Sequence, residues 1–317
     1  MALSLCLRQP LDLKSYVFIS KCWFDIVERS CCPGFYESLV FGEWGLGRFT
    51  RRGDSMSRTM KKAIRLLDLF SLQRPEWGVS EAAKALGFPK STTSELMSDL
   101  ADQRLLSRSK KGKYRLRWRL FELSQTLLDT TEFRIEARRV MAELVECWRE
   151  TVHLAVLDGV QAVYIEKLEP TPAAKIPITR AGARLPAQCS GVGKVLLAHS
   201  EWEHVAERLE DQGMPALTSN TITTLGGLAE ELERVRERGY AYDHEEIVVG
   251  LCCVGAPVHG PGGEVVAAVS FSVPAYRFGP NEDNYTAAIV DAARRISEDA
   301  GAKLAEYPDY KVEVHGT

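Results

Sequence analysis

The sequence predicts an α+β chain in two unequal parts: a small helical unit closed by a β-hairpin, and a larger unit built on a largely antiparallel sheet. Three observations carry this. The stretch Ser80–Leu106 (SEAAKALGFPKSTTSELMSDLADQRLL) reads as two short helices separated by a Gly-Phe-Pro turn and running on into a strand. From Thr151 the apolar period changes from helical to alternating. Charge is also unevenly placed: residues 56–130 hold 15 Lys and Arg against 8 Asp and Glu, and residues 131–317 hold 18 against 29, within a chain of net charge −3. A basic small unit joined to an acidic larger one predicts that the first meets phosphate and the second something else.

The length of 317 residues suits two domains, and 45% apolar with 26% charged residues is an ordinary globular composition. No apolar run approaches the roughly 18–20 residues needed to span a bilayer, so a cytoplasmic protein without membrane contact is expected. The eight cysteines (Cys6, Cys22, Cys31, Cys32, Cys147, Cys189, Cys252, Cys253) include no C-x-x-C pair. Free thiols in a reducing compartment are therefore expected, with neither a zinc site nor a disulfide framework.

In chain order, residues 1–55 mix aromatics, Cys32-Pro33-Gly34 and Arg51-Arg52 without sustained periodicity. They read as an N-terminal extension without a defined fold, or a mis-assigned start, because Met56-Ser57-Arg58 leads straight into the first clear helix. A winged helix-turn-helix domain is expected over 56–117. Its first helix, 58–72, turns Ala63, Ile64, Leu66, Leu67, Leu69 and Phe70 inward and is broken by Pro75 and Gly78. Ser80 can cap the next helix, whose Ala82, Ala83, Ala85 and Leu86 face the core. Gly87 suits the left-handed position after that helix, and Pro89 cannot continue it. The following helix presents Ser91, Thr92, Thr93 and Ser94 on its first turns and buries Leu96, Met97 and Leu100. Strands at 105–108 and 114–116 flank the basic turn Ser109-Lys110-Lys111-Gly112-Lys113, the wing.

Residues 118–150 form a helical linker and entry helix, with Leu120, Leu123, Leu127 and Leu128 spaced for burial against a mate in a dimer. An effector domain is expected over 151–305 and a tail over 306–317. Val152–Leu157 and Ala162–Ile165 are strands joined at Asp158-Gly159. A proline-containing loop covers 169–186. Helices follow from Ser190 to about His199, over 201–211 and over about 225–238. Short strand Tyr240–Tyr242, longer strands Cys252–Val258 and Val265–Val273, and a last helix from about Asn281 to Leu304 complete the domain.

At this point the chain resembles the IclR family of bacterial transcription regulators. The resemblance covers about residues 57–305. It rests on Leu86-Gly87-Phe88-Pro89-Lys90-Ser91-Thr92, Gly193-Lys194-Val195-Leu196-Leu197-Ala198, Arg236-Glu237-Arg238-Gly239-Tyr240 with Asp243 and Glu246, Gly250-Leu251-Cys252-Cys253-Val254, and Val266-Ala267-Ala268-Val269-Ser270. It implies a winged helix-turn-helix, a helical linker, a C-terminal sensor of GAF- or PAS-like fold, and homodimers or dimers of dimers on near-palindromic double-stranded DNA. The chain departs from the family at Glu95, where a basic residue is common. A carboxylate facing phosphate is repulsive, so Glu95 is expected to turn inward or pair with a neighbour.

For DNA, the residues expected to make contact are Ser80, Lys90, Ser91, Thr92, Thr93 and Ser94, with Lys110, Lys111 and Lys113 on the wing. Hydroxyls and helix-start amides hold phosphates, and a threonine can read a base edge; equally, some of these hydroxyls serve only to cap or solvate the helix. For the effector, the resemblance implies Gly191, Val192, Asp243, Cys253, Ser270 and Ser272. Free amides at a helix start favour a carboxylate, and serines two apart on a strand share a face. Arg180, Arg184 and Gln188 lie in the preceding loop and can reach an anion. The expected ligand is a small organic acid, with no cofactor, metal or catalytic residue. Two alternatives remain at this stage: a winged-helix protein-interaction module without a ligand, and a thiol enzyme built on Cys189, His153 and Asp243, in which the helix start lowers the thiol pKa.

Overall fold

A computed structural model describes residues 57–131, 133–170 and 179–304 of the chain. The expectations for 1–55, for residues 171–178 of the proline-containing loop and for the tail 306–317 fall outside these residues. The chain separates into two compact units that divide after Thr131.

In the first unit, α1 (Arg58–Leu67), α2 (Val79–Leu86) and α3 (Lys90–Asp102) pack around Leu66, Trp77, Ala82, Leu96, Met97, Leu100, Leu106 and Tyr114. Helix α1 ends five residues earlier than the sequence suggests: the amide of Asp68 closes the last turn on the carbonyl of Ile64. Ile64 and Ala85, expected inward, lie exposed. Gly87 takes the left-handed conformation (φ +68°) that ends α2, as only a residue without Cβ does cheaply. Ser80 does not cap α2. Gly78 holds the cap position, and its amide donates to Glu81 Oε2 at 3.1 Å. The wing strands β1 (Leu106–Arg108) and β2 (Tyr114–Leu116) pair antiparallel, with Leu106 opposite Leu116. Trp77 bridges to Tyr114 and ties the wing to the helical core.

Helix α4 (Arg119–Asp129) closes this unit and buries no residue within it. Its Phe121, Leu123 and Leu127, with Trp118 just before it, are exposed. Helix α5 (Phe133–Trp148), expected to belong with the linker, packs in the second unit instead. Phe133, Ala137, Val140, Met141 and Leu144 are buried there because they recur at helical spacing against the sheet.

The second unit is a six-stranded, wholly antiparallel sheet formed by β3 (Thr151–Asp158), β4 (Gln161–Leu168), β5 (Arg184–Pro186), β6 (Ala241–His244), β7 (Leu251–His259) and β8 (Val265–Pro274), in the order β5-β4-β3-β8-β7-β6. Strand β5 lies in the stretch expected to be loop; three residues carry too little pattern to reveal a strand. Three helices lie between β5 and β6: α6 (Gly191–Ala198), α7 (Trp202–Gln212) and α8 (Leu225–Arg238). The last, α9 (Glu282–Leu304), follows β8. Alternation along the strands gives each face its own core. Val152, Leu154, Val254, Phe271 and Val273 meet α5 and α9, while Ala155, Ala162, Tyr164 and Ala268 meet α6, α7 and α8.

Helix α6 lies almost on the sheet backbone. A Cβ on Gly193 would fall 2.2 Å from the carbonyl oxygen of Ala187, and one on Gly255 of β7 would fall 2.9 Å from the carbonyl carbon of Gly191. Gly255 lets the start of α6 settle against β7, and Gly193 lets it close on the turn Ala187–Cys189 that precedes it. No helix among the described residues is long and apolar enough to cross a membrane.

Candidate functional sites

The start of α3 and the wing form the first site. Lys90, Ser91 and Ser94 are exposed and Thr92 is half-buried. Ser80 is exposed in the first turn of α2. Thr93 departs from expectation: it is fully buried, and its Oγ1 donates to the carbonyl of Pro89 at 3.1 Å, so it secures the helix start rather than facing a groove. Lys110 and Lys111 are exposed at the wing tip, whereas Lys113 is half-buried with its Nζ 3.8 Å from Glu81 Oε1. Glu95 also departs from expectation, being exposed and forming no ion pair with a described residue. A cleft of about 590 Å³ beside the wing is lined by Arg108, Arg115 and Arg117 together with Leu116 and Trp118. The lysines of the tip drew the sequence expectation, and these arginines did not; the available signal was Arg115 and Arg117, two apart in and just after β2.

The second site lies between the start of α6 and the sheet, and all six residues implied by the resemblance come together there. Gly191 and Val192 are buried in the first turn of α6, and their amides have no acceptor among the described residues. Ser190 caps the helix, its Oγ accepting from the amide of Gly193 at 3.0 Å. Opposite, the register places Asp243 beside Cys253, Cys253 beside Ser272, and Ser272 beside Thr151, a polar row across four strands. Ser270 lies two residues along, flanked by Gly255 and His153. Asp243, Cys253, Ser270 and Ser272 are all buried.

Hydrogen bonds run through this row. Cys253 Sγ lies 3.2 Å from Ser272 Oγ, Ser272 Oγ 3.2 Å from His153 Nδ1, and His153 Nε2 2.6 Å from Thr179 Oγ1. Burial, with Lys167 nearby, lowers the His153 pKa to about 3, so the ring is neutral and carries its proton on one nitrogen only. Asp243 Oδ1 accepts the amide of Glu246 at 2.7 Å, and its Oδ2 has no hydrogen-bond partner among the described residues. Burial first, then the Glu246 carboxylate, raises the Asp243 pKa to about 7. Lys194 of α6 and Glu246 form a buried ion pair. Gln188, in the single turn before α6, is 1% exposed and its Nε2 has no partner among the described residues. Arg180 and Arg184 stay on the surface, and Arg184 pairs with Asp158.

Sequence reasoning missed the parts played by Lys194, Tyr164, Thr179 and, outside the thiol proposal, His153. For His153 the signal was its alternation with Thr151 and Ala155 on one strand face; for Lys194 it was a lone cation inside the apolar run of α6. The thiol-enzyme alternative does not survive. Cys189 is fully buried, its Sγ donates to the carbonyl of Pro186, and burial pushes its pKa well above the ordinary thiol value. Cys189, Cys252 and Cys253 are buried free thiols. No cluster of His, Cys, Asp or Glu among the described residues is placed to hold a metal ion.

Comparison with known proteins identifies both units. Residues 59–110 match the IclR helix-turn-helix domain, and residues 125–298 match the bacterial transcriptional regulator IclR C-terminal domain. The HTH-type transcriptional regulator XynR of Escherichia coli is 34% identical over 216 residues, spanning 68% of this chain and 85% of that protein. The HTH-type transcriptional regulator KdgR of Dickeya chrysanthemi is 32% identical over 275 residues, 86% of this chain and 88% of that one. Among solved structures, the Thermotoga maritima IclR is 32% identical with a TM-score of 0.60, covering 77% of this chain and 98% of its own. An IclR homolog from Microbacterium hydrocarbonoxydans, solved in complex with 4-hydroxybenzoate, is 26% identical with a TM-score of 0.68, covering 77% and 99%. These relatives are transcriptional regulators, not enzymes. The chain is thus a member of the IclR family, a DNA-binding transcriptional regulator with a helix-turn-helix head.

Proposed function

We propose that this regulator is ligand-responsive, and that a small organic acid bound at the start of α6 modulates operator binding by the winged head. One observation carries the reading: the amides of Gly191 and Val192, without acceptors among the described residues, start a helix packed beside a buried row of Asp243, Cys253, Ser270 and Ser272, and the turn before it holds a buried Gln188 Nε2 that is likewise without a partner among those residues. Buried donors left unpaired cost stability, and a carboxylate at a helix start relieves that cost. The 4-hydroxybenzoate bound by the Microbacterium relative supports the same ligand class. The acid's carboxylate meets the α6 amides, and its remaining oxygens meet Ser270, Ser272 and Asp243. On the head, Ser80, Lys90, Ser91, Thr92 and Ser94 contact DNA with Lys110 and Lys111, while Thr93 and Lys113 act within the protein.

The exposed face of α4 (Phe121, Leu123 and Leu127, with Trp118 before it) is covered by a second copy. The resulting homodimer, or a dimer of dimers, matches a near-palindromic site in the cytoplasm. Linkage supplies the mechanism: the acid binds one arrangement of the dimer better than another, and the DNA heads are spaced accordingly. A thermal-shift screen of small organic acids tests it. Stabilisation of the wild-type protein, lost in a Ser270→Ala/Ser272→Ala variant that still binds DNA, is the expected result. No stabilisation by any acid, with DNA binding intact, overturns the reading.

A further inference from the structure

The effector cluster carries a charge problem that the α6 amides do not solve. Its charged or titratable groups come from each element around Asp243. Tyr164 comes from β4, His153 from β3, Cys189 from the turn before α6, and Lys194 from α6. Cys252 and Cys253 come from β7, and Glu245 and Glu246 from the turn after β6. His153 is neutral, and burial pushes the thiols of Cys189 and Cys253 and the phenol of Tyr164 well above their ordinary values, so all of them are uncharged. Lys194 is the cation beside Glu246, and the pair cancels. Glu245 turns its carboxylate to the amide of Gly250 at 2.6 Å, away from the row. Ionised Asp243 therefore leaves the cluster at −1, and an arriving carboxylate would make it −2 in a buried place. Asp243 and the α6 start are close neighbours, since a Cβ on Gly191 would lie 3.7 Å from that of Cys253, the residue paired with Asp243.

Two carboxylates in a site of this kind do not both stay ionised. Resting on the reading of this cluster as an acid site, we propose that the acid enters together with one proton, taken from solvent onto Asp243 Oδ2, so that acid binding weakens as pH rises above neutrality. The proton is the only species added besides the acid: one carboxylate, one ligand anion and one H⁺ give a complex in which Oδ2, without a hydrogen-bond partner among the described residues, becomes a donor to a ligand oxygen. Before the ligand arrives Asp243 is half-protonated near pH 7. Proton uptake on binding is therefore small well below that pH and approaches one well above it.

The experiment uses the full chain. A thermal-shift screen at pH 6 with 4-hydroxybenzoate, benzoate, lactate and succinate selects the acid that stabilises best. Titration calorimetry with that acid, in two buffers of different ionisation enthalpy, then counts protons at pH 5.5, 7.0 and 8.5. The expected result is uptake rising towards one at pH 8.5, with Kd nearly flat below neutrality and weakening by about tenfold per pH unit above it. Asp243→Asn, which keeps the carbonyl that accepts the Glu246 amide, should bind the acid with a flat pH profile. Should that variant not fold, the proton count on the wild-type protein decides. Binding with no proton uptake at pH 8.5 overturns the proposal while leaving the acid site standing. No stabilisation by any of the four acids at pH 6 overturns both.

Discussion

At the scale of single residues, the two sites depend on which polar groups are satisfied within the protein and which are not. Thr93 spends its hydroxyl on Pro89, whereas Lys90 stands free on the same helix turn. Lys90→Ala should weaken binding to all DNA sequences alike and reduce the salt slope of log K by about one. Thr93→Val should leave DNA preference unchanged and cost about 1 kcal/mol of stability; fluorescence anisotropy against salt, with thermal unfolding, checks both. In the sensor, Lys194 and Glu246 are both nearly inaccessible. Lys194→Ala would leave a buried carboxylate unpaired and should destabilise the protein by about 3–5 kcal/mol, while Lys194→Met with Glu246→Leu should cost far less. Chemical denaturation of the single and double variants checks the contrast.

Single residues are also where the sequence was least legible. Ser91, Thr92 and Thr93 are alike in composition, and only the three-dimensional phase of α3 separates a buried hydroxyl from exposed ones. Lys113 reads as a wing-tip lysine until Glu81, far away in sequence, is seen beside it. The six effector residues came from resemblance; their polar row depends on the pairing of β3, β8, β7 and β6, which no local pattern specifies.

At the scale of elements, the long alternating and helical stretches were readable because one burial pattern repeats through each. The helices α6, α8 and α9 and the strands β3, β4, β7 and β8 all fall where the periodicity puts them. Strand β5 and the end of α1 did not, because three residues and a frayed turn carry no period. The packing of α6 on the turn that precedes it is the sharpest constraint on any element. Gly193→Ala would drive a Cβ into backbone at 2.2 Å, and backbone cannot rotate away as a side chain can. This substitution should cost about 3 kcal/mol in the sensor unit, visible as a lowered thermal midpoint of the isolated transition. An unchanged midpoint would mean that α6 sits further from the turn that precedes it.

At the scale of the whole molecule, charge and exposure divide the work between the units. The basic head carries the exposed lysines proposed to meet DNA, and the acidic unit carries the buried site proposed to take an anion. Helix α4 buries none of its residues within its own unit, as the proposed contact with a second copy requires. Leu127→Asp should therefore shift sedimentation from dimer towards monomer and weaken binding to a palindromic site by at least about tenfold, since two tethered heads bind far more tightly than one. A variant that sediments as the wild type would place the dimer contact elsewhere.

The central claim is that acid binding beside α6 changes the grip of the head on DNA. Fluorescence anisotropy with DNA from upstream of the chain's own coding sequence tests it most directly, measured with and without the acid that best stabilises the protein. The account predicts a change in DNA affinity of about fivefold or more, a coupling of about 1 kcal/mol, that disappears in Ser270→Ala/Ser272→Ala while DNA affinity without acid is unchanged. An acid that binds but leaves wild-type DNA affinity unaltered would contradict it.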